Sequence, residues 1–271
     1  MVKRLIKKLI KNENLQDNLR LIFNSVKTLS LNLLLEEIKL RKSGLPDNFP
    51  FPPPKLIFTI IAIPWVSGFY KSGKIIFEDM MMILRQYKIV LKDNSNILDF
   101  GCGCGRIIRH FASTNKYNLY GSDLNLDLIE WCRSNLSFGK FSTNYLSPPL
   151  KYENNFFDLI YARSVFTHLG KEIQLEWINE MRRILKPGGI FYFTTHGINT
   201  IDPLSFEEQN QFLDDEIVLQ NSFSEGDNKF SSYQSYKWTT ENLLNGFELA
   251  GFHEGGNNPH LRQDVYLFRK I

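Results

Sequence analysis

The chain has 271 residues, 43% hydrophobic and 14% aromatic, with 32 Lys and Arg against 29 Asp and Glu. Its 37 Phe, Tyr and Trp and a net charge of only +3 exclude a disordered chain, and the length fits one large α/β domain or a domain with an appendage. No apolar run approaches the roughly 18 to 20 residues that span a bilayer, and three cysteines make no disulfide framework, so a reducing, cytoplasmic setting is expected.

The small total hides an asymmetry. Residues 1–42 carry ten Lys or Arg and four Asp or Glu, a net of +6, which leaves −3 for the rest. Lys3, Arg4, Lys7, Lys8 and Lys11 interleave with Leu5, Ile6, Leu9 and Ile10 at helical spacing, so residues 1–11 read as an amphipathic helix with a basic face. Such a helix either packs its apolar stripe on the domain or on a second copy of the chain, or lies peripherally on an anionic membrane surface. Without interleaved aromatic residues it does not read as a nucleic-acid-binding element.

An apolar pattern runs from Leu15 to Leu40 and breaks at Gly44-Leu45-Pro46. Five prolines between Pro46 and Pro54 predict an extended strap, and a helix is expected over Ile75 to Tyr87. From Asn96 onward short apolar runs alternate with amphipathic ones, the grammar of a parallel sheet with crossover helices. Strands are predicted at Asn96 to Phe100, Leu119 to Ser122, Phe141 to Asn144, Phe157 to Ala162 and Ile190 to Thr195. The helices between them run about Arg106 to Ser113, Leu126 to Asn135 and Lys171 to Leu185. Lys186-Pro187-Gly188-Gly189 reads as a helix stop. A final helix over Thr239 to Ala250 precedes closing strands near His253 and at Val265 to Lys270. The polar, weakly patterned segment 197–236 reads as a lid-like insertion. The domains expected are thus 1–95, an N-terminal helical arm, strap and cap, and 96–271.

The chemistry concentrates at Leu98-Asp99-Phe100-Gly101-Cys102-Gly103-Cys104-Gly105-Arg106, where a buried strand ends in three alternating glycines before a helix. Glycine is required where φ is positive or where a ligand must approach backbone, and exposed N–H groups favour lone pairs and negative charge. Asp123 ends the next predicted strand, beside that loop, and its carboxylate suits a ribose diol; a helix N-cap is the bland reading.

These motifs, with Phe157 to Leu169 and Arg182 to His196, occur in order, and residues 72–271 resemble the class I S-adenosylmethionine-dependent methyltransferases, more loosely their bacterial small-molecule members. The resemblance implies a Rossmann-like, seven-stranded, mostly parallel sheet with an antiparallel last strand, flanked by helices. It implies S-adenosylmethionine as cofactor, with Asp99, Gly101, Cys102, Gly103, Gly105 and Asp123 around it and Leu124 and Asn144 toward adenine. Arg163 is assigned to the cofactor or to an anionic acceptor, and Trp65, Phe69 and Tyr70 form an aromatic cluster suited to a cationic sulfonium or to core packing. If the methyl acceptor is a hydroxyl, His168 and then His196 are the candidate bases. The acceptor expected is a small or medium molecule, such as a sugar or a lipid-linked compound, methylated on oxygen or nitrogen. His253 and His260 are too isolated to hold a metal. A binding protein of this fold without turnover is the alternative. A dinucleotide-dependent oxidoreductase fits less well, since Arg106 stands where G-x-G-x-x-G needs its last glycine.

Overall fold

A computed structural model of the chain describes residues 31–220, 223–256 and 262–271. The basic stretch 1–11 and its expected membrane or oligomer contacts lie outside the described residues. No single helix among the described residues is long and apolar enough to cross a membrane, although the helices Pro54–Ile61 and Val66–Gln86 reach that length and composition when taken as a bent pair.

Helices α1 (Leu31–Ser43), α2 (Pro54–Ile61) and α3 (Val66–Gln86) come first. The chain forms two compact units that part at Ser72/Gly73, inside α3 and ahead of the boundary that pattern alone puts at residue 95. In the first unit the proline strap ends where Pro54 starts α2, a position where its fixed φ fits and its missing N–H costs nothing. Glu37 is buried and its two carboxylate oxygens accept the Val66 and Ser67 N–H groups at 2.9 Å each. It thereby satisfies two of the orphan donors at the start of α3 and puts negative charge at that helix end. Arg41 completes the arrangement, 2.7 Å from Glu37. Trp65 and Phe69 are buried.

The second unit begins within α3 and continues through β1 (Asn96–Phe100), α4 (Ile108–Ala112), β2 (Asn118–Asp123), α5 (Leu126–Asn135), β3 (Gly139–Thr143) and β4 (Phe157–Ala162). It goes on through α6 (Lys171–Ile184), β5 (Leu185–Thr195), α7 (Phe206–Leu213), β6 (Val218–Gln220), β7 (Ser231–Tyr233), α8 (Tyr236–Leu243), β8 (Phe247–His253) and β9 (Asp264–Lys270). Seven strands form one sheet in the order β3-β2-β1-β4-β5-β9-β8. β1 to β5 pair in parallel, and β9 runs antiparallel to both neighbours, as the resemblance implies.

Strand alternation explains the layers. Leu98, Phe100, Ile160, Ala162, Phe191 and Phe193 share a core with Trp177, Met181 and Ile184 of α6 and Trp238 and Leu243 of α8. On the opposite face the Phe111 ring of α4 stacks near Tyr161 and meets Phe77 of α3 edge-on.

Two local expectations fail. The helix expected over Thr239 to Ala250 stops at Leu243, because Gly246 turns the chain at φ +75° and Phe247 to Leu249 then pair with β9, Ala250 lying at a bulge. The helix before Lys186 to Gly189 does end there, at Ile184, but the strand expected from Ile190 begins already at Leu185, with an irregular register around a left-handed Gly188. The insertion 197–236 has order of its own. A capping box of Ser205 and Glu208 starts α7, β6 and β7 pair, and Leu204, Phe212, Val218 and Tyr233 form a small core.

Candidate active site

The chain leaves β1 for β2 and β3 on one side, and later fills β4 and β5 on the other. A crevice is therefore left at the C-terminal ends of β1 and β4, the place where open α/β sheets bind ligands. The glycine loop lies there. Gly101, Gly103 and Gly105 adopt φ of +79°, +55° and +70°. A Cβ at Gly101 would stand 2.3 Å from Val165 Cγ2, and one at Gly105 2.7 Å from Leu136 Cδ1, so conformation and space both demand glycine.

Asp123 locks this loop: one oxygen accepts the Gly103 N–H and the other the Asn125 N–H, each at 2.8 Å. Burial raises its pKa and those two N–H groups pull it back. Asn125, rather than Asp123, caps α5, accepting from the Leu128 N–H at 3.3 Å. Beneath the loop Asp99 is buried, and desolvation pushes its carboxyl to about 7 against the opposing pull of the Tyr161 hydroxyl, Arg106 and the Ile108 N–H.

Two cavities flank the end of β4. The first is lined by Gly101, Asp123, Leu124, Asn144, Val165 and His168, among others. The second, about 360 Å³, is lined by Ile76, Arg163, Ser164, His196, Thr200, Pro203, Tyr233, Arg262 and Gln263. Ser164 borders both, in a left-handed conformation (φ +56°) uncommon for a side-chain-bearing residue. Of the residues predicted for the cofactor, Gly101, Asp123, Leu124 and Asn144 line the first cavity. Gly103, Gly105 and Asp99 shape or support the loop.

Two assignments are corrected. The Cys102 thiol points under the loop toward the Gly103 carbonyl, as does that of Cys132, and burial pushes the Cys102 thiol well up, so it is an inert packing group. Arg163 belongs to the second cavity: beyond β4 its guanidinium turns toward β5 and β9, donating to Thr194 Oγ1 at 3.2 Å and to Gln263 Oε1.

The two histidines are also separated. His168 lines the first cavity with Nδ1 2.6 Å from the Phe230 carbonyl, and burial lowers its pKa. His196 lines the second, with its ring 4.8 Å from that of Tyr233. Burial, with the nearby His168 and Arg163 adding to it and a bond to the Ser232 carbonyl opposing, brings it down to about 4. Its Nδ1 is buried with no hydrogen-bond partner among the described residues. The sequence reading missed Ser164, Thr194, Tyr233, Arg262 and Gln263. Among the described residues no group of three or more His, Cys, Asp or Glu is placed to hold a metal ion.

This is the architecture of a nucleotide-type cofactor domain with a second cavity beside the glycine loop. A family model described as a methyltransferase domain matches residues 98–193. Over 111 residues the chain is 32% identical to the sterol 24-C-methyltransferase erg6 of Schizosaccharomyces pombe, covering 39% of this chain and 29% of that protein. A SAM-dependent methyltransferase structure from Methanosarcina mazei superposes with a TM-score of 0.53 at 21% identity, over 70% of this chain and 97% of the other. The [4+2]-cyclase SpnF does so with 0.51 at 16% identity, over 72% and 80%. The chain spans 20% to 56% of the length of the curated relatives it matches.

Residues 98–193 are a methyltransferase domain, on the fold of solved S-adenosylmethionine-dependent methyltransferases, and the cofactor this implies is S-adenosylmethionine. The residues present fit that molecule. The loop leaves no room for a Cβ at Gly101, Asp123 carries a carboxylate of the kind that accepts from hydroxyls, and Asn144, lining the same cavity, has a buried Oδ1 with no partner among the described residues.

Proposed function

We propose that this domain transfers a methyl group from S-adenosylmethionine to an oxygen or nitrogen of a polar, small or medium acceptor held in the second cavity. The observation that carries this reading is the pair of cavities meeting at Ser164, one floored by the glycine loop and the other lined by hydroxyls, guanidinium groups and an imidazole. Gly101 and Asp123 hold the cofactor's amino-acid and ribose parts, and Asn144 receives its adenine amino group.

S-adenosylmethionine supplies a methyl group on a positively charged sulfur, whose leaving group needs no further activation. The protein's task is therefore alignment, and well-oriented reactants recover about 7 to 11 kcal/mol of barrier. His196 stays neutral at working pH, because its pKa lies far below neutrality. Its unpartnered Nδ1 accepts the acceptor's O–H or N–H proton in a hydrogen bond, which points the attacking lone pair, and takes that proton as the new bond forms. His168, tied to Phe230 on the other side, shapes the cofactor cavity.

The polar lining favours a hydroxylated or amino acceptor, such as a sugar, over the bare sterol named for the fission-yeast relative. The basic stretch at residues 3–11 adds the sugar end of a lipid-linked molecule as a second form of the same acceptor. Methyl-labelled cofactor tested with the full chain against sugars, lipid-linked sugars, amines and nucleic acids decides. Label on hydroxyl- or amino-bearing small molecules is expected. Label on nucleic acid alone, or cofactor binding without transfer to any class, overturns the proposal.

A further inference from the structure

Three donors from the ends of two neighbouring strands converge on one oxygen. Arg163 Nη1, Ser164 Oγ at 2.9 Å and Thr194 Oγ1 at 2.8 Å all give to Oε1 of Gln263. Thr194 Oγ1 itself accepts the Ser164 N–H at 2.9 Å, which leaves its own proton to point at Gln263. An amide oxygen offers two lone pairs, so three donors exceed what it can accept well. A carboxylate or phosphate oxygen matches them better, since hydrogen bonds to an ionised acceptor are roughly twice as strong as neutral ones.

The surroundings agree. The cavity that these residues line presents two arginines and, among the described residues, neither Asp nor Glu. Of the carboxylates nearby, Asp202 pairs with Arg262 at 3.2 Å, and Asp79 acts on Arg163 from outside the lining. Ser164 is held left-handed at the focus, and strain of this kind collects where a ligand must be met.

We propose that Arg163, Ser164 and Thr194 form a seat for an oxyanion of the acceptor, a carboxylate or a phosphate group, and that the Gln263 amide oxygen fills this seat until the acceptor arrives. The inference rests on reading the second cavity as the acceptor site. It makes Gln263 a gate that an anion displaces, and it selects acidic acceptors over their neutral analogues.

Matched probes test it: benzoate against benzamide, and phenyl phosphate against phenol, titrated into the full chain saturated with S-adenosylhomocysteine. At least one acid is expected to bind tenfold or more tightly than its neutral partner, and the pair that shows this tells a carboxylate seat from a phosphate seat. Gln263→Ala empties the seat and should strengthen acid binding several-fold. Gln263→Glu fills it with a resident carboxylate, so it should erase the preference and raise the melting temperature. S-adenosylhomocysteine affinity should stay within twofold in both variants.

Equal binding of acids and neutral partners overturns the seat, as does a Gln263→Ala variant that binds acids no better. If Arg163→Gln weakens S-adenosylhomocysteine as much as it weakens the acids, Arg163 serves the cofactor's own carboxylate and the proposal falls. Binding is read without turnover, so an intact preference without methyl transfer counts against the activity alone. Methyl transfer without preference counts against the seat alone.

Discussion

The two cavities beside the end of β4 are made of different material. The first borders a loop set by backbone geometry, with three left-handed glycines and two N–H groups tied to Asp123, at the crevice between β1 and β4. The second is made of side chains drawn from α3, the β4 and β5 exits, the insertion, and the residues entering β9. A site built on backbone geometry admits few sequences, whereas one built on converging side chains can be rewritten residue by residue.

Four perturbations sharpen this contrast, from the largest expected effect to the smallest. Gly101→Val asks a branched side chain to adopt φ +79° against Val165, so cofactor affinity should fall at least a hundredfold by calorimetry, whatever happens at the acceptor side. Substituting Asp123 by Ala releases the Gly103 and Asn125 N–H groups together, and a loss of roughly ten- to a hundredfold in S-adenosylhomocysteine affinity is expected. His196→Ala should lower kcat by about a hundredfold while leaving that affinity within twofold, which separates the cavities in one variant. With His196 at about 4, wild-type kcat should show no inflection near pH 6.5; an inflection there would return the base to an ordinary histidine.

The smallest effect is on stability. Asp99 holds its proton up to about pH 7 when folded but to about 3.8 when unfolded, so the folded chain binds more protons between those values and loses stability as pH rises through them. Asp99→Asn should flatten that part of the melting-temperature curve, gaining on the wild type as pH rises. A parallel pair of curves would show that Asp99 does not titrate in this window.

The same contrast explains what could be read from the sequence. The glycine loop, Asp123 and most strands were legible because local rules write them: positive φ, strand alternation, a carboxylate at a strand end; the seven-stranded sheet with its antiparallel last strand followed from the resemblance. Leu124 and Asn144 followed from the resemblance, and both line the first cavity. Arg163 was left between the cofactor and an anionic acceptor, because a strand-end residue can turn either way and only the Thr194 and Gln263 partners fix which cavity it lines. Gln263 was given no role from the sequence, being distant along the chain and meaningful only once β9 runs back along β5. Phe247 to Leu249 read as helix since their pairing with β9 is nonlocal.

The reversed direction of β9 has a further consequence. A parallel strand in that place would bring its last residues to the site end of the sheet; β9 instead brings its first, so Arg262, Gln263 and Asp264 arrive there before the strand is laid down. Asp264 already occupies the space above Gly197, 1.9 Å from where a Cβ would stand. Insertions or deletions just ahead of β9 would therefore retune what the enzyme accepts without touching the cofactor loop, which lies at β1. The fold keeps one strand free for evolutionary change and holds the others to a shared chemistry.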